Sequence, residues 1–167
     1  MESLRRTIAF STSDGFSFGI SAEVANMSGL MASLLEDDDP SEDGCGEIHL
    51  PNVTSRAFRK VVSFCEHHLT HPMNNISKPL KSANMEDNVE AWYAAFVNME
   101  HVSLYELCLA ANYLDIKPLL ELTCASIACR IKGKLPEEIR ATFEIPNIFT
   151  AEEEAQIRAE NNWIQDA

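Results

Sequence analysis

The chain has 167 residues, 46% of them apolar, enough for one compact domain that buries roughly two thirds of its unfolded surface, with room for an appended helical module. A formal charge of -13, from 26 acids against 13 bases, argues against nucleic acid as a partner, because phosphate binding needs clustered Lys and Arg, and it favours a protein with a basic surface. No run approaches the about 18 apolar residues of a membrane span, and Met1 to Phe10 carries Arg5 and Arg6 without a signal peptide's apolar region, so a soluble intracellular chain is expected.

Arg6 to Phe10 is a short strand candidate, Thr12-Ser13-Asp14-Gly15 a turn, and the alternation of Phe16, Phe18 and Ile20 a second strand, which together predict a hairpin. A two-stranded piece cannot stand alone, so it needs the helices that follow. Ser21 to Leu35 is apolar at helical spacing, with Ser28-Gly29 inside it, which predicts two short helices meeting at a bend. From Glu36 to Glu47 the chain is acidic, without a base, and predicts an exposed flexible loop; it lacks the alternation and terminal glutamate of a calcium loop.

Ile48 to Pro51 predicts a returning strand stopped by proline, after which Asn52 or Thr54 can cap a helix carrying Phe58, Val61, Val62 and Cys65. Thr70 to Asn88, with Pro72, Pro79 and several asparagines, predicts a surface linker or long loop. Val89 to Val97 recovers apolar content, and Trp92 with Phe96 forms an i,i+4 aromatic pair on a short helix. The clearest helical signal follows. Leu104, Leu107, Cys108, Ala111 and Leu114 make one apolar stripe, while Tyr105, Leu109 and Tyr113 lie off it. A helix apolar on more than one side is buried all round or shared between its own core and a partner.

Asp115-Ile116-Lys117-Pro118 breaks this pattern, and Pro118 fits N1 of a second helix bearing Leu119, Leu120, Leu122, Thr123, Ile127 and Ile131 and ended by Gly133. Pro136-Glu137-Glu138 starts another helix, with Ile139 and Phe143 four apart and a stop at Ile145-Pro146-Asn147. Thr150 and Glu153 form a capping box, so Ala151 to about Trp163 is the last predicted helix, with little core to hide in. Trp163 suits a local anchor or a partner contact equally well.

Catalytic and metal chemistry find little support. Cys65, His67, His68 and His71 are zinc-type ligands, yet no second cysteine stands at ligand spacing and Cys65 falls on an apolar stripe, which predicts a helix end with surface histidines. The same adjacency gives no oriented Cys-His nucleophile. Five cysteines (Cys45, Cys65, Cys108, Cys124 and Cys129) form no paired framework and predict buried free thiols. There is no phosphate loop, dinucleotide loop or nucleophile elbow, and the acid pairs at Glu137-Glu138 and Glu152-Glu153 sit where helix starts explain them. The chain therefore predicts no enzyme and no cofactor.

Asn112 to Lys117, Ile131 to Lys134, Pro136 to Arg140, Phe149-Thr150, and Glu152 through Trp163 together resemble the Skp1 family of ubiquitin-ligase adaptors. Ser13-Asp14-Gly15, the acidic loop, Leu50 to Val53 and Cys65 to His68 occupy corresponding places in order, so the resemblance covers nearly the whole chain. It implies an α+β fold: a BTB/POZ-like domain over residues 1–130, including the acidic loop and the linker at 70–88, then a C-terminal helical extension over 131–167. It implies a non-catalytic, cytoplasmic and nuclear adaptor that joins the N-terminal region of a cullin to F-box substrate receptors. The cullin-facing residues would be Asn112, Tyr113, Phe58 and Val62. The F-box-facing residues would be Leu120, Cys124, Ile127, Ile131, Ile139, Phe143, Ile145 and Trp163.

The resemblance implies no nucleic acid, membrane or cofactor, and a hetero-oligomer in function with room for a weak homodimer. An alternative class is a BTB-like interaction scaffold outside ubiquitin ligases, which would not require the tail from Ile131 to Trp163. Departures from the family pattern are Leu135 in place of threonine, Tyr93 and Ile148 in place of aspartates, and a less acidic linker around Lys78 and Lys81. Together they suggest a diverged member with a narrowed set of partners.

Overall fold

The computed structural model describes residues 7–36 and 46–161, so most of the acidic loop, and Trp163, lie outside the described residues. The chain forms two compact units, Met1–Lys132 and Gly133–Ala167.

In the first unit β1 (Thr7–Thr12) is the centre of a three-stranded sheet, antiparallel to β2 (Ser17–Ser21) and parallel to β3 (Ile48–Leu50). Alternation along β1 buries Ile8, Phe10 and Thr12 on one side. Phe10 stands opposite Phe18 on one neighbour and Ile48 on the other, which sets the register against the core. The hairpin turn is fastened from outside. Asp14 accepts from the Ser55 amide at 2.9 Å and from the Ser55 and Thr12 hydroxyls at 2.6 Å each. These bonds, the Ser55 hydroxyl first, pull the Asp14 carboxyl down to about 2.

The predicted bend appears as α1 (Ala22–Ala25) and α2 (Gly29–Glu36). Its cause lies far away in sequence. The Ser28 hydroxyl donates to the Leu114 carbonyl and accepts from the Met31 amide at 3.1 Å, while the Gly29 amide donates to the Asp115 carbonyl at 3.2 Å. A Cβ on Gly29 would run into the Asp115 carboxylate, so any larger residue there has to push that side chain aside.

α3 (Ser55–Thr70) is capped by Thr54, whose side chain accepts from the Ala57 amide, which decides between the two predicted caps. α4 (Ala91–Phe96), α5 (His101–Tyr113) and α6 (Lys117–Ile131) complete the unit. α6 begins one residue earlier than expected, leaving Pro118 second in the helix, where its missing N–H is still an unneeded donor. The break before it is made by Asp115 at φ 51, and Gly133 at φ 76 follows the end of α6. Arg130 on α6 donates to the Met99 carbonyl at 2.7 Å, the Val97 carbonyl at 3.3 Å and His101 Nδ1 at 2.7 Å, binding α6 to the α4–α5 connection. The core joins Phe10, Phe58, Phe64, Leu104, Leu107, Leu114 and Leu119.

The predicted linker is irregular but anchored. It contains a 3-10 turn at Met85–Asp87, buries Ile76, pairs Lys78 with Glu121 at 2.9 Å, and receives Lys132 Nζ on the Leu80 carbonyl at 3.0 Å. The second unit holds α7 (Pro136–Phe143) and α8 (Ala151–Glu160). They are tied by Arg140 to Glu154 at 3.0 Å and by Arg158 to Glu137. α8 runs to Glu160 with Asn161 as its cap, and the expected end at Trp163 lies outside the described residues.

Candidate protein-interaction surfaces

The outward side of α5 carries Val102 (60% exposed), Tyr105 (40%) and Leu109 (69%) at spacings of three and four, one stripe down a helix whose opposite side is core. Asn112 continues it, exposed, with Tyr113 half-buried beside it. On this helix the sequence marks Asn112 and Tyr113 as cullin-facing. It does not mark the exposed Val102, Tyr105 and Leu109, although Tyr105 and Leu109 stand off the predicted core stripe, and that displacement is the usable signal.

Val62 on α3 is half-buried and packs against the core from its edge. Phe58 is a correction. It is fully buried, its ring 5.1 Å from Phe18 and 6.3 Å from Phe10, because it points from the first turns of α3 into the sheet. No partner can touch it without unfolding the domain.

Along one flank of α6, Leu120 and Ile127 are half-buried, Cys124 is exposed, and Ile131 is 37% exposed. A largely apolar groove of about 390 Å³ runs beside them, with Leu120, Cys124 and Ala128 as one wall and Ile76 and Leu80 as the other. The Lys78–Glu121 ion pair bridges the two walls. Ile76 and Leu80 belong to the stretch read as a polar linker, where sparse apolar residues between prolines gave no periodicity to detect.

In the second unit, taken by itself, no described residue is buried. Ile139 and Phe143 are half-buried, while Ile145 (51%), Ile148 (81%), Phe149 (45%) and Leu135 (64%) are exposed. So much apolar surface on a 35-residue unit exceeds what its own packing can cover. The departure at Ile148 adds its most exposed large apolar side chain among the described residues.

The histidines at the end of α3 are less superficial than expected. His67 stacks on Trp92 with centroids 3.6 Å apart, and Trp92 stacks on Phe96 at 5.0 Å. Tyr93, the other departure, is 2% exposed; its hydroxyl donates to the His71 carbonyl at 2.6 Å and lies 3.0 Å from His68 Nδ1. Desolvation, then the neighbouring His71, holds His67 below its ordinary pKa, and desolvation, then His67, does the same for His68. Burial pushes the Cys65 thiol up to about 12, which disfavours the thiolate that either a metal or a nucleophilic role needs. Among the described residues no three His, Cys, Asp or Glu side chains converge where they could hold a metal ion, and no helix is long and apolar enough to cross a membrane.

The family model described as Skp1 family, tetramerisation domain, matches residues 6–70, and that described as Skp1 family, dimerisation domain, matches residues 117–164. The chain is 45% identical over 149 residues to the S-phase kinase-associated protein 1 homolog of Tetrahymena thermophila, covering 89% of this chain and 87% of that protein. It is 44% identical over 158 residues to SKP1-like protein 1A of Arabidopsis thaliana, covering 95% and 96%. With the E3 ubiquitin ligase complex SCF subunit sconC of Arthroderma otae it shares 42% identity over 159 residues, covering 95% and 94%.

Proposed function

Because this chain belongs to the Skp1 family, we propose that it is a non-catalytic adaptor of an SCF-type ubiquitin ligase, joining a cullin scaffold to F-box substrate receptors in cytoplasm and nucleus. The observation that carries this reading is the outward apolar stripe of α5, on a helix whose inner side is already committed to the core. Tyr105, Leu109, Asn112 and Tyr113 offer aromatic and aliphatic area with a polar end, the composition of a specific protein contact, and this face receives the cullin. The grooved flank of α6, with Leu120, Cys124, Ile127 and Ile131, receives the F-box segment. So do Ile139, Phe143 and Ile145 of the second unit. Such an adaptor acts by raising the effective concentration of bound substrate at the transferring enzyme, with no bond made or broken on its own side chains.

The test is separate titration with a purified cullin N-terminal region and a purified F-box domain. Asn112→Ala with Tyr113→Ala is expected to weaken cullin binding about tenfold or more while F-box binding stays unchanged. Equal loss of both with unchanged folding would refute the division of surfaces. The family label of a dimerisation domain over residues 117–164 also supports a weak homodimer through the same α6 flank when no receptor is bound. A sedimentation experiment in which F-box domain dissolves that dimer checks it.

A further inference from the structure

Three elements of the first unit border a cavity of about 360 Å³: the 3-10 turn at Met85–Asp87, the end of α4 with the residues after it, and the last turns of α6. That volume lies in the range of small-molecule sites, about 300–1,000 Å³. Short side chains, Ala94 and Ala95 of α4, leave the room. Ser126, 2% exposed, lines it. One turn earlier on α6 the Thr123 hydroxyl donates to the Leu119 carbonyl at 3.0 Å, whereas the Ser126 hydroxyl has no hydrogen-bond partner among the described residues. A hydroxyl withdrawn from bulk water without a partner is destabilising, and a polar ligand in the cavity would satisfy it.

Arg130 and Glu86 line the same cavity. Arg130 is half-buried and uses three of its five N–H donors on the Val97 carbonyl, the Met99 carbonyl and His101 Nδ1, none of which is an anion. Glu86 is exposed on the turn. The two form no ion pair with each other, and neither forms one with any other described residue. The cavity therefore offers one cation and one anion, each open to a charge that a ligand brings.

We propose that this cavity is a binding site for a small zwitterion, an aliphatic α-amino acid, whose carboxylate meets Arg130 and the Ser126 hydroxyl while its ammonium faces Glu86. A simple anion would meet Glu86 as a like charge, and a simple cation would meet Arg130 in the same way. Val97 and Ala94, both buried, supply an apolar part of the lining for a short aliphatic side chain. The Cys129 thiol does not compete for the ligand, since it donates to the Ser82 carbonyl and accepts from Asn88 Nδ2, each at 3.7 Å.

At roughly 100° of rotation per residue, Ser126 and Arg130 lie on a different side of α6 from Leu120, Cys124, Ile127 and Ile131. The site is thus separate from the proposed receptor face, and it stands whether or not the adaptor reading does.

The test titrates the full chain, labelled with nitrogen-15, with L-valine, with isovalerate (the same skeleton without the ammonium) and with isobutylamine (the same skeleton without the carboxylate). L-valine is expected to shift the backbone amides of Glu86, Asn98 and Ser126 saturably, and the other two probes to bind at least about fivefold more weakly. Glu86→Gln is expected to erase the preference for L-valine over isovalerate. Ala95→Phe, which fills the cavity from an exposed position, is expected to abolish the shifts, with thermal melts establishing that each variant is folded. No saturable shift with L-valine up to about 20 mM overturns the site, as do shifts that survive Ala95→Phe. Isovalerate or isobutylamine binding as tightly as L-valine overturns the zwitterion. Should Ala95→Phe fail to fold, Ser126→Ala takes its place: L-valine is expected to bind it about fivefold more weakly, and an unchanged dissociation constant overturns the site.

Discussion

The hydroxyl of Tyr93 holds the carbonyl that ends α3, and its ring lies edge-on to Phe64 at 5.8 Å. Tyr93→Phe keeps the ring and leaves that carbonyl without its donor, so stability should fall by about 1–2 kcal/mol, read as a lower urea midpoint with unchanged slope. Phe58→Ala should cost about 3–5 kcal/mol and lose cullin binding only together with the fold, which separates it from the surface variants. pH dependence follows from the same neighbourhood. His67 and His68 have folded pKa values below the ordinary 6.5, so the folded chain binds fewer protons than the unfolded one once pH drops past that value. Their contribution is full above 6.5 and is lost as pH falls through the folded values. Asp14 behaves likewise lower down: its contribution is full above 3.8 and is lost as pH falls toward about 2. Denaturant midpoints measured from pH 7.5 downward should decline in these two windows, and His67→Gln with His68→Gln should flatten the upper one.

At the level of whole elements, α7 lacks half of its N-terminal cap. Glu138 accepts from the Leu135 amide at 2.8 Å, but the leucine side chain can accept nothing in return and is 64% exposed, so packing does not compensate. Leu135→Thr should restore the missing bond and stabilise the second unit by about 1 kcal/mol, seen as slower amide exchange across α7; unchanged exchange would contradict this. α2 fails differently when perturbed. Gly29→Ala forces Asp115 away from the helix start and disturbs the Ser28–Leu114 bond, so a loss of about 1–3 kcal/mol is expected, relieved in part by Asp115→Gly in the same chain. A double-mutant cycle showing no coupling between positions 29 and 115 would contradict this.

Across the molecule, the proposed division of labour sets α5 toward the cullin and α6 toward the F-box segment. Leu109→Asp, at a side chain 69% exposed, should leave the melting temperature within a few degrees of wild type while weakening cullin binding by about 2 kcal/mol. A matching loss of thermal stability would return Leu109 to the core. Much of this fold was legible beforehand: an apolar run marked β1, alternation marked β2, a cap at Asn52 or Thr54 and one at Thr150 marked two helix starts, and three-four spacing marked α5 and α6. Local rules suffice there because each signal concerns residues within a turn or a strand pair. Phe58 and Val62 lie one helical turn apart, and their spacing alone could not say which of them enters the sheet. Ile76 and Leu80, in irregular backbone, carried no period at all. The sequence by itself determined the family, the element types and the apolar excess of the tail, since these depend on residue kinds and short spacings. Only the tertiary structure decided which apolar side chains stay outside and why the chain bends at Ser28-Gly29, because burial and contact depend on which distant segments the folded chain brings together.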